Sequence, residues 1–323
     1  MKVIIQIPCY NEEDTIKACL TDLPRQLPGV DIVEWLLIDD GCTDRTVDVA
    51  MSSGIDHVVR LQRKRGLARA FMAGIEACLE AGADIIINTD ADNQYNAHDI
   101  PKLIQPIIDG NADIVVGSRH IDEIQDFSRV KKYLQKIGSW VVRIASKTDI
   151  PDGPSGFRAI SRSAAKSINV FDSYTYTIET IIQAGQKGLA ITYVPVRTNR
   201  SLRPSRLIKN IPHYILRSAN TIVRIFMTYR PFRFFAIPGM ISFFLGMLIG
   251  FRFLYFYYFA DNGSGHVQSL ILAALLLGGG FSLVMTGLIA DLISVNRRLL
   301  EKIDWRIHQI EDKLRNEKNN SKT

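Results

Sequence analysis

The sequence predicts an α/β domain on a mostly parallel sheet, followed by an all-α membrane hairpin and a C-terminal amphipathic or coiled-coil helix. Three observations carry this. From Val3 to Gly117, short apolar runs alternate with helical patterns, which implies right-handed crossovers and a sheet covered on both faces. Phe234 to Ala260 and Leu270 to Ala290 each reach the roughly 20 apolar residues that a spanning helix needs. Beyond them Leu300, Ile303, Ile307, Ile310 and Leu314 repeat at three-four spacing.

In chain order, Val3 to Ile7 is a β-branched run stopped by Pro8. Asn11 can cap the next helix, with Glu12, Glu13 and Asp14 in its positive first turn. Glu34 to Ile38 is a second strand, ending in Asp39 and Asp40; Gly41 turns the chain, and Thr43-Asp44 opens a helix to about Met51. Asp40 is assigned to fixing the Gly41 turn. His57 to Leu61 is a strand, Gly66 to Ala81 an alanine-rich helix, and Ile85 to Thr89 a strand leading to Asp90 and Asp92. Ile100 to Ile108 is a helix and Ile114 to Gly117 a fifth strand. The strand ends then place acidic residues along one sheet edge, where open α/β sheets bind ligands.

The next stretch, about 127–147, is a basic amphipathic helix with Phe127, Val130, Leu134, Ile137, Val141 and Ile144 on one face. It fits a membrane interface or a helix on the sheet with a solvated basic face; a second such stretch over 206–231, leading into the spans, favours membrane contact for both. The organisation is then an α/β domain over 1–205, a juxtamembrane helix over 206–231, two transmembrane helices over 232–293 and a tail over 294–323. Arg224, Arg230 and Arg233 flank the hairpin on one side and Arg297, Arg298 and Lys302 on the other, whereas its loop has neither Lys nor Arg. The positive-inside rule puts both flanks, and the α/β domain, in the cytosol. The Gly278-Gly279-Gly280 run invites close helix packing. The tail seam reads as self-association into a homo-oligomer, or as a lone amphipathic helix.

A net charge of +6 allows nucleic acid as a partner, but the chain has no zinc-finger spacing or RNA-binding aromatic motif, so nucleic acid is set aside for an anionic bilayer. Cys9, Cys19, Cys42 and Cys78 lack metal-ligand spacing and read as free thiols in a reducing compartment. No secretory signal opens the sequence; Lys2 to Pro8 is too short for one.

The chemistry concentrates after the fourth strand. Asp90 and Asp92, one residue apart, with Gln94 beyond, can converge on a hard cation, and Mg²⁺ takes one or two carboxylates and leaves the rest of its shell to phosphate and water. Such a pair also occurs in solvated loops, so the surroundings decide. Ile7-Pro-Cys-Tyr-Asn-Glu12, Ile38-Asp-Asp-Gly-Cys-Thr-Asp44, Arg65-Gly-Leu-Ala68 and Asp90-Ala-Asp92 occur in the order of the motifs of inverting family-two glycosyltransferases with the GT-A fold, which the chain resembles over about residues 1 to 230. Gly117-Ser-Arg119, Asp152 with Ser155-Gly-Phe-Arg158, and Arg203-Pro-Ser-Arg206 resemble the polyprenyl-phosphate branch, which includes dolichyl-phosphate mannose synthases and undecaprenyl-phosphate glucosyltransferases. Cys42, Arg45 and Lys64 depart from the usual Ser, Gly and Asn.

That resemblance implies roles. Pro8, Tyr10, Glu12, Asp39, Arg65, Gly66, Asp90, Ala91 and Asp92 would hold the nucleotide, and Asp90, Asp92 and Gln94 a Mg²⁺ or Mn²⁺ ion. Asp92, Arg119 and Asp152 would be catalytic, Asp152 on the acceptor side or else a turn residue. Independently, a lipid phosphate is already ionised and needs positioning and cations rather than a general base. Ser118, Arg119, Arg200, Arg203, Ser205 and Arg206 offer them, with an ordinary juxtamembrane basic patch as the competing reading. Glu179 stays outside this set. The expected activity is hexose transfer from a UDP- or GDP-sugar to polyprenyl phosphate at the cytosolic membrane face. The rivals are a transferase acting on a sugar hydroxyl, whose Gln-x-x-Arg-Trp motif is missing here, and a nucleotide-binding scaffold without activity.

Overall fold

The computed structural model describes residues 1–119, 143, 146, 148–170, 176–199, 223–224, 227, 230–259 and 267–320. The chain divides into two compact units, Met1–Ser218 and Ala219–Thr323.

The first unit holds β1 (Lys2–Cys9), α1 (Ile16–Asp22), β2 (Ile32–Asp39), α2 (Thr46–Ser52), β3 (His57–Arg60), α3 (Leu67–Glu80), β4 (Ile85–Asn88), α4 (Ile100–Ile108), β5 (Ile114–Arg119), β6 (Arg158–Ser161), α5 (Arg162–Ser167), α6 (Thr177–Lys187) and β7 (Ile191–Val196). The strands form one seven-stranded sheet in the order β3-β2-β1-β4-β6-β5-β7. All pairings are parallel except those of β6, which runs antiparallel to both β4 and β5. After β3 the chain adds β4 on the other side of β1, so the order switches at the β1/β4 boundary. Ligands of open α/β sheets bind in the crevice at such a switch, beyond the strand carboxyl ends. The apolar runs of β1 and β4 are buried because both sheet faces are covered; Val3, Ile5, Ile7, Ile85 and Ile87 share one core cluster with Leu103 and Phe157.

Several local expectations change. The helix after β1 starts at Ile16, not at Asn11, which instead adopts a left-handed conformation with φ 54°. The next helix starts at Thr46, where Asp44 Oδ1 accepts from Thr46 N at 3.0 Å, rather than at Thr43. Strands β6 and β7 and the short α5 had no expectation. Gln6 and Asn88 are fully buried polar groups inside apolar strands; Gln6 Nε2 donates to Asn88 Oδ1 at 2.9 Å, which satisfies both across the β1/β4 boundary. Gly74 of α3 leaves no room for a side chain above Gln6 Oε1.

The segment after β7 clamps the loop that carries Gln94. Asn199 N donates to Gln94 O at 2.9 Å and Asn199 Nδ2 to Asn93 O at 3.1 Å. Buried Asp99 anchors this segment, accepting from Arg197 N at 2.8 Å, Arg197 Nη2 at 2.9 Å and Lys102 Nζ at 2.8 Å. Burial alone would raise the Asp99 carboxyl, but those hydrogen bonds and charges outweigh it and hold it at about 2, below its ordinary 3.8. A carboxyl depressed on folding stabilises the protein above its unfolded value, and that contribution disappears as pH falls through the folded one. The thermal midpoint of the protein should therefore drop between about pH 4 and pH 2, and Asp99→Asn should lower it at neutral pH and flatten this acid limb. An unchanged acid limb in the variant would remove Asp99 as its source.

The second unit contains α7 (Pro231–Phe259) and α8 (Val267–Asn320). Both contain stretches long and apolar enough to cross a membrane, Pro231–Phe259 and Val267–Arg297. A Cβ on Gly239 would lie 2.9 Å from Gly280 O, one on Gly280 2.7 Å from Gly239 O, and one on Gly246 2.9 Å from Leu277 N. The two helices thus meet backbone to backbone, as small residues allow. Of the expected glycine triple only Gly280 serves this contact; Gly278 and Gly279 face open space. The tail is not a separate helix: α8 runs without a break from span to Asn320, leaving Leu299, Leu300, Ile303 and Ile307 exposed. The juxtamembrane helix over 206–231 and the helix over 127–147 fall almost wholly outside the described residues.

Candidate active site

Three groups of residues line the strand-end edge. The first sits over β1 and β2. Asp39 Oδ1 accepts from Cys42 N at 2.6 Å, so Asp39 holds the Gly41 turn. Asp40, expected to do that, instead accepts from Arg65 N at 2.7 Å and Gly66 N at 2.9 Å. Two adjacent strand-end acids point opposite ways, and here one fixes its own turn while the other ties down the 62–66 loop. Gly41, at φ 76°, permits the close passage of that loop: a Cβ there would meet Lys64 N at 2.7 Å. Asn11 N donates to Cys42 Sγ at 3.3 Å and Asn11 Oδ1 accepts from Thr43 N at 2.8 Å, joining the ends of β1 and β2. Burial, with Asp39 adding to it, pushes the Cys42 thiol up to about 11, so it remains a neutral packing group. Half-buried Tyr10 carries the Lys64 ammonium 3.5 Å from its ring centroid.

The second group sits at the end of β4. Ala91 is buried in the core, and Asp90, Asp92 and Gln94 are partly exposed. Burial first, and the neighbouring Asp92 second, raise the Asp90 carboxyl to about 7, against the pull of Arg119 and Arg158. Two crowded carboxylates, Asp90 among them desolvated, form a site that a divalent cation relieves, so the donor chemistry fits Mg²⁺ or Mn²⁺ with few protein ligands. Asp92 Oδ1 accepts from Gln94 N at 3.2 Å; the backbone of Gln94 makes this contact. Among the described residues no cluster of three or more His, Cys, Asp or Glu side chains is set to hold a metal.

Asp90 is backed by a rigid floor that the sequence did not reveal. A Cβ on Gly156 would lie 3.0 and 3.1 Å from the two Asp90 carboxylate oxygens and 2.9 Å from the Tyr176 hydroxyl. Gly156 N donates to the Tyr95 hydroxyl at 3.0 Å, and Asn88 Nδ2 donates to Gly156 O and Tyr176 Oη, both at 2.8 Å. Tyr176 stacks on Phe71 at 4.0 Å, and Tyr95 on Phe157 at 5.0 Å. Arg158 is fully buried and donates to Ser155 O and Gly153 O, both at 2.8 Å, and to Thr180 Oγ1. Burial pushes its pKa down, countered by the acids and tyrosines around it. The visible signals were a glutamine and an asparagine inside otherwise apolar strands, and an arginine opening one.

The third group joins β5 to the 152–157 loop. Arg119 Nε donates to Asp152 Oδ2 at 2.7 Å and Arg119 Nη2 to Asp152 Oδ1 at 3.0 Å; Arg119 N adds a bond to Oδ2 at 3.2 Å. Asp152 is fully buried and the Arg119 side chain only 14% exposed, so this is a buried bidentate pair. Burial works to discharge Arg119, but Tyr95, Asp152 and Asp90 outweigh it and raise its pKa. Ser118 is buried beside it, and Glu179 is nearly buried on α6, accepting from Gln183 Nε2 at 3.4 Å. Pro8 and Glu12 lie on the β1 end, where Glu12 N donates to Thr46 Oγ1 at 2.8 Å. Arg200, Arg203, Ser205 and Arg206 lie outside the described residues.

Among known proteins, an undecaprenyl-phosphate mannosyltransferase of Micrococcus luteus is 27% identical over 218 residues, covering 64% of this chain and 88% of its own. A UDP-N-acetylglucosamine–dolichyl-phosphate N-acetylglucosaminyltransferase of Methanococcus voltae is 30% identical over 219 residues, covering 61% and 85%. Among solved structures, glucosyl-3-phosphoglycerate synthase of Mycobacterium tuberculosis, in complex with Mn²⁺, UDP and glucosyl-3-phosphoglycerate, superposes with a TM-score of 0.54 at 22% identity, over 68% of this chain and 79% of that one. That likeness shows a shared GT-A fold. Residues 4–168 match the family described as Glycosyl transferase family 2, and with half the chain inside that match, alongside the strand-end acids described above, the protein is a glycosyltransferase that belongs to this family.

Proposed function

We propose that the protein transfers a hexose, with inversion, from a UDP- or GDP-sugar to a polyprenyl phosphate at the cytosolic membrane face. The observation that carries this is the state of Asp152. Both of its oxygens accept from Arg119. Held this way, Asp152 serves to fix the Arg119 guanidinium, and a fixed cation suits a nucleophile that arrives already ionised. A phosphate monoester meets that requirement, and a sugar hydroxyl does not. Names of relatives in which undecaprenyl or dolichyl phosphate appears support the same acceptor class.

On this reading Tyr10, Asp39, Arg65 and Gly66 hold the nucleoside over β1 and β2. Asp90, Asp92 and Gln94 would hold a Mg²⁺ or Mn²⁺ ion, which when bound offsets the charge developing on the departing diphosphate. The Gly156 floor keeps the Asp90 carboxylate turned to that position. Arg119, oriented by Asp152, faces the incoming phosphate, with Ser118 beside it and the Arg200, Arg203 and Arg206 cations supplementing it. The α7–α8 hairpin anchors the chain as a multi-pass membrane protein, and the exposed stripe of α8 pairs with a second copy.

The test offers purified protein, in Mn²⁺, a panel of nucleotide sugars with either undecaprenyl phosphate or undecaprenol. Chelator-sensitive formation of an acid-labile glycolipid from the phosphate and none from the alcohol is the expected result. Glycosylation of the alcohol, or a polymer, would transfer the assignment to the hydroxyl-acceptor reading.

A further inference from the structure

One residue of the segment after β7 grips the loop between β4 and α4. Asn199 N donates to Gln94 O at 2.9 Å, and its side-chain Nδ2 donates to Asn93 O at 3.1 Å and to Tyr95 O at 3.3 Å. Both hydrogens of that amide are thus committed, to the carbonyls on either side of the one taken by the backbone. The grip acts one peptide further on. In a trans peptide the C=O and the N–H point opposite ways. With Asn93 O turned to Asn199, the N–H of the same peptide, that of Gln94, is turned to Asp92, whose Oδ1 accepts it at 3.2 Å. Asn93 itself takes a left-handed conformation, φ 55°, uncommon outside glycine, and its Nδ2 donates to Asp22 Oδ2 at 2.7 Å. Asn199 is held in its turn. Two residues earlier Arg197 is anchored on buried Asp99, and Thr198 pairs with Tyr95 in an antiparallel bridge.

We propose that Asn199 is a positioning residue of the cation site, which aims the Asp92 carboxylate by fixing the plane of the Asn93–Gln94 peptide. This rests on the reading of Asp90, Asp92 and Gln94 as the cation ligands. The two carboxylates have different supports. Asp90 is set from below, where Gly156 passes within van der Waals reach of both its oxygens. Asp92 lies beyond that floor in sequence and takes its Gln94 N–H bond from a peptide whose other end Asn199 holds. Like charges side by side repel, so an Asp92 released from that bond turns away from Asp90. The cation then has to gather the pair at the expense of its own binding. Asn199 touches no ligand oxygen, and its effect passes through one peptide plane. Groups that orient a metal's ligands in this way typically set about tenfold to hundredfold of its affinity.

The test is equilibrium dialysis of Mn²⁺, alone and with UDP, against full-length wild type, Asn199→Ala and Asn199→Asp. The alanine deletes the side-chain grip and keeps the backbone bond to Gln94 O. The aspartate keeps the shape but has no donor at neutral pH, so its carboxylate faces two carbonyl oxygens. Thermal midpoints in chelator check that each variant is folded, and should one fail to fold, the other decides alone. Expected is Mn²⁺ binding about tenfold weaker in both variants. The aspartate separates orientation from charge: an added negative charge acting only through space would tighten Mn²⁺ binding, whereas a lost grip weakens it. Wild-type Mn²⁺ affinity in the folded variants, even with a lowered midpoint, would overturn the inference, because Asn199 would then serve the fold alone. Tighter binding by Asn199→Asp would overturn it too. Wild type that takes up no Mn²⁺, with or without UDP, would remove the reading of the acids as a cation site, and this inference with it.

Discussion

Replacing Asp92 by Asn lowers sugar transfer by about a hundredfold to a thousandfold, the range for removing one preorganised electrostatic group from a reacting site. The variant keeps its fold. Asp92 is partly exposed, and its Oδ1 accepts from Gln94 N, a bond that an amide oxygen can still accept. It also no longer crowds Asp90, whose carboxyl is raised by burial and by this neighbour. In chelator the thermal midpoint of Asp92→Asn should therefore match or exceed that of wild type; Mn²⁺ should raise the midpoint of wild type and leave that of Asp92→Asn unchanged. Loss of activity without loss of stability is the signature of a group retained for chemistry at some expense to folding. Full transfer by Asp92→Asn, or an unaltered Mn²⁺ effect on its midpoint, would sink the assignment of these acids to a metal-assisted departure of the nucleotide.

What could be read from sequence divides along a physical line. The first five strands were legible because each is built round two or more β-branched or aliphatic residues, and all but β3 are closed by Pro, Gly or an acid. Strand β6 was not, since Arg158-Ala-Ile-Ser161 is four residues long and opens with a charge, and only the sheet partners on both sides make it a strand. Strand β7 contains Pro195, which lacks an amide hydrogen and argues against a paired strand; it lies at the sheet edge, where that defect is tolerated. The acids on the β2 and β4 ends were found by position, yet their partners were not. Asp40 was assigned to its own turn, whereas its carboxylate reaches 25 residues ahead to Arg65 N. Gln6, Asn88, Gly156 and Tyr176 meet beneath Asp90 from four separate segments, a convergence that no local spacing encodes. Likewise α8 reads as a span and a separate tail by composition, because hydropathy changes at about Arg297, while backbone hydrogen bonding does not.

The Arg119–Asp152 pair yields the other large effect. The two residues stand 33 positions apart and were given separate places, lipid phosphate for one and the acceptor side or a turn for the other. The geometry makes them one unit. Removing either partner of a buried pair strands the other charge, which typically costs about 3–5 kcal/mol, so Arg119→Ala and Asp152→Ala should each lower the thermal midpoint markedly. Transfer should fall by about a hundredfold in both, chiefly through the KM for the lipid phosphate, because what is lost is the orientation of a cation toward an anion. The double variant should be no worse than the poorer single one, since groups acting as a unit are not additive. Asp152→Asn gives the sharpest discrimination. An amide retains one acceptor oxygen for Arg119 but cannot take a proton at neutral pH. If Asp152 only positions Arg119, Asp152→Asn keeps a substantial part of kcat and the pH dependence of kcat is unchanged. If instead Asp152 removes a proton from the acceptor, Asp152→Asn loses kcat as fully as the alanine variant, the acceptor KM stays where it was, and the acidic limb of the profile disappears. That outcome would point to a hydroxyl acceptor and would overturn the phosphate assignment from the same residue on which it rests.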